Sequence, residues 1–187
     1  MYPTAVASSP DLPTHSPLAV ALVHPQIAPN TGNVARLCVA TGTPLHLVRP
    51  LGFSLSDRML RRSAMDYWPR LNLTLHDDDH AFLTAMAGRR LWLTDSSGDR
   101  CLWQARFAPG DVLVFGSETR GLPDALLAAA PTHVLRIPQV PTARCLNLAT
   151  AAGVVLYEAL RQLHGPAPVG DHPAAAVTCP PLTCSLP

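Results

Sequence analysis

The chain has 187 residues, 48% apolar and 14% charged, with 14 basic against 13 acidic side chains and a formal net charge of +1. Its 20 prolines gather at the ends, four in residues 1–17 and six in residues 165–187. Segments so poor in large apolar side chains cannot offset the entropy of ordering, so 1–17 and 164–187 are expected to be disordered tails around a single domain at 18–163. No apolar run reaches the roughly 18 residues of a membrane span. The first 17 residues hold neither Lys nor Arg, which argues against a signal peptide and for a cytoplasmic protein.

Every cation is an arginine, and with Asp11 and Asp171 assigned to the tails the core carries 14 arginines against 11 carboxylates, a net +3. Charge of that size does not by itself announce a nucleic-acid partner. The five cysteines, Cys38, Cys101, Cys145, Cys179 and Cys184, are odd in number and form no CxxC. Reduced thiols are expected, with neither a disulfide framework nor a metal site.

In chain order, Leu18–Val23 reads as a buried strand that runs into a Pro-rich turn. Val34, Leu37 and Cys38 then share one helical face. Leu45–Val48 is the next strand, and Ser56–Met65 a basic helical segment. Leu71–Leu75 follows as a short strand, then a helix at Asp77–Ala87 whose opening aspartates suit its dipole. Arg90–Thr94, Val112–Phe115 and Val134–Ile137 are strands by length and branching. A last helix runs from about Leu146 to Leu163. No internal repeat is present. Strands alternating with helices imply an α/β domain on a largely parallel sheet, with ligands beyond the carboxyl ends of the strands.

Three segments lie at such ends. Asn30-Thr31-Gly32-Asn33, followed by Arg36, offers capping groups and a guanidinium that could hold an anion, or simply a turn with a solvated arginine. Phe115 to Pro123 (FGSETRGLP) combines close backbone approach at Gly116 and Gly121 with the charges of Glu118 and Arg120, without a dinucleotide or P-loop fingerprint. Arg136 to Ala149 (RIPQVPTARCLNLA) is stiffened by prolines and brings Arg144 and Asn147 to the start of the last helix. Arg58, Arg61 and Arg62, near Tyr67 and Trp68, form either a solvated helix face or an RNA-facing patch with a stacking residue.

Together, NTGNVARLC (30–38), FGSETRGLP (115–123) and RIPQVPTARCLNLATAAGVVLYEA (136–159), with RPLGFSLSDRMLRRSAMDY (49–67) between them, resemble the SPOUT superfamily of RNA methyltransferases. The likeness runs collinearly over residues 18–163. It is greatest to the bacterial enzymes that methylate the ribose 2'-hydroxyl of the wobble nucleotide, C or modified U at position 34, of tRNA. The resemblance implies an α/β domain with a deep C-terminal trefoil knot, a homodimer, S-adenosylmethionine as cofactor and the tRNA anticodon loop as partner. Leu93, Thr94, Gly116, Gly121, Ile137, Cys145 and Leu146 would then hold the cofactor. Arg36, Glu118 and Asn147 would be catalytic, and Asn30, Asn33, Arg58, Arg61, Arg62, Arg120 and Arg144 would bind substrate. The family commonly has Ser at the positions of Cys145 and Ala149. That departure keeps a non-catalytic RNA-binding role open, alongside methylation of another tRNA or ribosomal RNA site.

Overall fold

Short aliphatic runs buried on both faces can satisfy their backbone groups only within a sheet covered by helices on either side. The computed structural model describes residues 12–140, 142–143 and 145–165, with only the backbone of Arg61, Met65 and Asp66. It contains the strands β1 (Ala19–Val23), β2 (Leu45–Val48), β3 (Leu73–His76), β4 (Leu91–Thr94), β5 (Arg100–Cys101), β6 (Val112–Phe115) and β7 (Val134–Arg136). They form one sheet in the order β3-β2-β1-β6-β4-β7-β5, parallel at every pairing. The helices are α1 (Ala28–Ala40), α2 (Arg58–Ala64), α3 (Asp79–Ala85), α4 (Asp124–Ala129) and α5 (Leu148–His164). The expected single α/β domain on a parallel sheet is thus present.

The pleat of β1 divides the core. Val20 and Leu22 point to one side, with Val34 and Cys38 of α1 and Val155, Leu156 and Ala159 of α5. Ala19, Ala21 and Val23 point to the other, with Phe82 of α3 and Leu126 of α4. Helices therefore cover both faces, as a parallel sheet requires. Gly32 of α1 lies against α2 so closely that a Cβ there would sit 2.6 Å from the Cβ of Ser63.

Several elements differ from the sequence expectation. Asn30 to Asn33 is no loop but the first turns of α1, which starts at Ala28 with Pro29 in its opening turn, where a missing N–H costs nothing. Asn147 precedes α5 as its N-cap, accepting from the N–H groups of Ala149 and Thr150 at 2.9 and 3.3 Å. The edge strand β5 and the short α4 have no counterpart in the periodicity. Residues 12–17, assigned to the tail by composition, lie against the domain: Ser16 N–H donates to the Gly42 carbonyl at 2.9 Å and Gly110 N–H to that of Pro17 at 2.8 Å. The rest of both proposed tails, residues 1–11 and 166–187, falls outside the described residues, as does Arg144.

At the amino end of β6, the buried carboxylate of Asp111 accepts from Arg90 Nε and Nη2 at 2.8 and 2.7 Å, Trp92 Nε1 at 2.9 Å and Ala108 N–H at 2.8 Å. On the β2–β3 side, His46 Nδ1 and His76 Nε2 are 3.0 Å apart, with the Phe82 ring edge-on to His76. Burial, then the charges of His76 and Arg89, pull the His46 pKa down from 6.5 to about 4. Between those pH values the unfolded chain binds more protons than the folded one. Stability is therefore complete above pH 6.5 and falls as the pH drops toward 4, by about 3 kcal/mol. Urea unfolding at pH 7 and pH 4.5 measures this, and His46→Gln is expected to flatten the dependence.

Candidate functional site

In the sheet, Thr94 of β4 pairs with Phe115 of β6 and Leu135 of β7, so the carboxyl ends of these strands lie level. The chain leaving each of them lines one cavity of about 600 Å³, together with the start of α1 and of α5. The cavity thus sits where a parallel sheet is expected to hold a ligand.

Its wall after β6 is a tight pinch. Ser117 and Gly121 exchange two backbone hydrogen bonds of 3.0 Å, and the turn requires a positive φ of 67° at Gly121, which glycine adopts without strain. A Cβ on Gly116 would collide with the Gly121 backbone. The pinch presents Glu118 to α1, whose N-cap residue, Ile27, supplies no side-chain cap. The Glu118 carboxylate takes that role from a distant part of the chain, accepting from Gln26 N–H at 2.8 Å and Ile27 N–H at 3.3 Å, where a negative charge also suits the helix dipole. It accepts as well from Asn30 Nδ2 at 2.9 Å. Asn30 Oδ1 in turn accepts from Asn147 Nδ2 at 2.8 Å. One run of hydrogen bonds therefore ties together the segment after β6, the first turn of α1 and the N-cap of α5. These are the three segments that stood out in the sequence.

Of the residues expected to form the site, Asn30, Thr94, Gly116, Glu118, Arg120, Gly121, Ile137, Cys145, Leu146 and Asn147 line this cavity. Leu93 does not: its side chain is wholly buried in the core under α3 and α4. Asn33 and Arg36 are exposed farther along α1, where the Arg36 guanidinium lies 5.8 Å from the centre of the Tyr67 ring. Arg58 and Arg62 are exposed on α2, away from the cavity. The sequence reading missed Asp95 and Ser96, which follow β4, and Arg136 and Gln139, which follow or end β7. The Asp95-Ser96-Ser97-Gly98 turn was a usable signal, because it sits at the carboxyl end of a strand.

Two buried oxygens at the cavity, Thr94 Oγ1 and Gln139 Oε1, have no hydrogen-bond partner among the described residues. Such groups are costly unless a ligand or water satisfies them. Among the described residues, no cluster of His, Cys, Asp and Glu is placed to hold a metal ion. No helix of the described residues is long and apolar enough to cross a membrane.

Compared with known proteins, residues 17–157 match the SpoU rRNA Methylase family. The chain belongs to the SpoU methylase family. This agrees with the resemblance carried by the three motifs. Among SpoU relatives, the tRNA (cytidine(34)-2'-O)-methyltransferase of Methylovorus glucosotrophus (strain SIP3-4) is 47% identical over 144 residues, 76% of this chain and 94% of that protein. A structure solved to explain the 2-OH methylation of C/U34 on tRNA superposes with a TM-score of 0.78 at 49% identity, covering 82% of this chain and 100% of that one. An AdoMet-bound rRNA methyltransferase from Sinorhizobium meliloti superposes with a TM-score of 0.71 at 29% identity, covering 78% of this chain and 56% of that one. This SpoU chain therefore matches the first two relatives over nearly their whole length.

Proposed function

We propose that this chain transfers a methyl group from S-adenosylmethionine to the ribose 2'-hydroxyl of nucleotide 34, C or modified U, in the anticodon loop of tRNA, acting as a cytoplasmic homodimer. The observation that carries the reading is the hydrogen-bonded run from Glu118 through Asn30 to Asn147, which gathers all three motifs at one cavity. The names of the close relatives support the same substrate.

The residues present fit the cofactor. The unpartnered Thr94 Oγ1 and Gln139 Oε1 suit the polar edges of an adenosine, and Ile137 and Leu146 give it apolar cover. Thr94, Gly116, Gly121, Ile137, Cys145 and Leu146 would hold it, with Leu93 limited to its backbone. Bound S-adenosylmethionine supplies an electrophilic methyl on a sulfonium, chemistry that calls on no metal. The protein has to align the ribose oxygen, ease the loss of its proton and hold the neighbouring phosphate. The Glu118–Asn30–Asn147 run fixes the wall against which the ribose is aligned.

A guanidinium is a poor base, so the role of Arg36 is to stabilise the developing oxyanion and clamp phosphate. Arg36 does not line its own chain's cavity, and in a homodimer a second copy can bring it to the reacting hydroxyl. The half-exposed Val154 and Tyr157 on α5 support such an interface. Arg36→Lys is expected to lose methyl transfer at least tenfold, on the order of a lost bidentate contact, while calorimetry finds cofactor affinity unchanged. Arg58, Arg61 and Arg62, together with Asn33, Arg120 and Arg144, are the proposed RNA contacts, and alanine at the α2 arginines should flatten the salt dependence of tRNA affinity. We also propose the C-terminal trefoil knot, supported by the insertion of β7 between β4 and β5.

Gly116→Ala forces the Ser117–Gly121 pinch to move, and is expected to weaken S-adenosylmethionine binding about tenfold or more in calorimetry. The function is tested by incubating the protein with tRNA and S-adenosylmethionine carrying a labelled methyl, then mapping the modified nucleotide by mass spectrometry. Label on the ribose of nucleotide 34 is expected. Label elsewhere, or cofactor binding without transfer, would overturn the assignment.

A further inference from the structure

A second cavity, of about 530 Å³, lies on the far side of the same pinch. It opens beyond the carboxyl ends of β1, β2 and β6. Ser117, Arg120 and Gly121 border both cavities, so a single turn of backbone separates them. Nothing in the assignment of the cofactor cavity uses this space.

Its lining is amphipathic in a particular way. Pro50, Leu51, Leu122 and Pro123 supply apolar surface, whereas His24 and Gln26 supply polar edges. His24 Nε2 lies 3.0 Å from Asp79 Oδ1. The Thr119 hydroxyl donates to Gln26 Oε1 at 2.7 Å, which turns the donor end of that amide elsewhere. His24 also has a φ of 51°, the one described non-glycine residue with positive φ. A left-handed residue with a Cβ is strained and persists only where its surroundings enforce it, commonly at ligand sites. Gly52 closes the cavity against the backbone of Gln26, where a Cβ would come within 2.7 Å of the Gln26 Cα.

We propose that this second cavity seats the base of the nucleotide whose ribose is methylated, an inference that rests on the function proposed above. Base and ribose are joined by one bond, so an enzyme presenting the 2'-hydroxyl at the first cavity must place the base within a few ångströms of it. The space across the pinch satisfies that requirement. Apolar surface with polar groups at its edge is the chemistry that holds an unstacked base. Arg120 forms no ion pair with a described residue, and standing between the cavities it can meet the phosphate of the same nucleotide.

The test uses the full-length protein and an anticodon stem-loop RNA, either with C34 or with a base-free ribose at position 34 that keeps its 2'-hydroxyl. For the unaltered protein, removing the base is expected to lower kcat/KM roughly tenfold, the scale of one lost stacking contact. Leu51→Trp fills the cavity and should lower kcat/KM on the C34 RNA by a similar factor, while S-adenosylmethionine affinity stays the same. His24→Asn is the second variant: asparagine tolerates the left-handed backbone and shortens the side chain, so it guards against a folding defect in the tryptophan variant. In each variant, removing the base should cost little more, because both changes delete one contact. Additive losses would overturn the proposal, and so would a changed cofactor affinity, which would assign the space to S-adenosylmethionine. Those outcomes leave methylation at nucleotide 34 standing. Failure of the unaltered protein to methylate nucleotide 34 would instead remove the proposed function and the base subsite together.

Discussion

Methyl transfer is expected to fall roughly 100-fold in Glu118→Gln, the scale set by misplacing a reacting group by about an ångström. The carboxylate accepts three hydrogen bonds, from Gln26 N–H, Ile27 N–H and Asn30 Nδ2. A glutamine can satisfy only part of that set, since its amide nitrogen cannot accept, and it gives up the charge that opposes the dipole of α1. Asn30 then loses one of the partners that orient it, and through it Asn147 is released. The cost in stability is smaller, about 1–2 kcal/mol, because the two backbone contacts are solvent-exposed. Single-turnover transfer beside a thermal melt separates the effects. A protein that melts lower yet transfers at the normal rate would show that the run of hydrogen bonds is structural only.

The largest loss of stability is expected in Asp111→Ala, about 3–5 kcal/mol. The deletion leaves the indole N–H of the buried Trp92 and the N–H of Ala108 without their acceptor, and leaves the Arg90 guanidinium beside a wall that no longer carries charge. Against a typical total of about 5–15 kcal/mol, that is a severe change. Asp111 lies at the amino end of β6, and the cavity at the carboxyl end. Urea unfolding should therefore record a lower midpoint, while the folded protein binds S-adenosylmethionine with its original affinity. A change in affinity as large as the change in stability would mean that the two ends of β6 are coupled.

Much of the sheet was legible because buried parallel strands are written as short continuous apolar runs. Leu45–Val48 and Val112–Phe115 are found where the sequence placed them. The strand order was not legible, since β1 and β6 pair across a long stretch of chain and β5 has only two residues. Asn30-Thr31-Gly32-Asn33 was read as a loop because its residues are weak helix formers. Glu118, which accepts from the N–H groups just before α1, lies outside any local window. Glu118, Asn30 and Asn147 were identified by residue type within motifs, and the fold brings them into contact. Arg36 was chosen in the same way, yet helical geometry carries it away from its own cavity. Asp95 and Ser96 follow the last residue of β4, Thr94, and lie in none of the three motifs. Gln139 carries no local signal, and only the folded cavity shows that its oxygen is buried without a partner among the described residues.

The cap on α1 also sets a timetable. Glu118 follows Gln26 by 92 residues, and at a synthesis rate of about 5–20 residues per second that interval is roughly 5–20 s. Before it ends β1, β2 and β3 have all been made, but α1 begins without its carboxylate, and neither cavity has its shared wall. The nascent chain therefore passes through a stage with half a sheet and no site. Chains released early, before the segment after β6 is made, would carry the exposed edge of β1 and none of the chemistry.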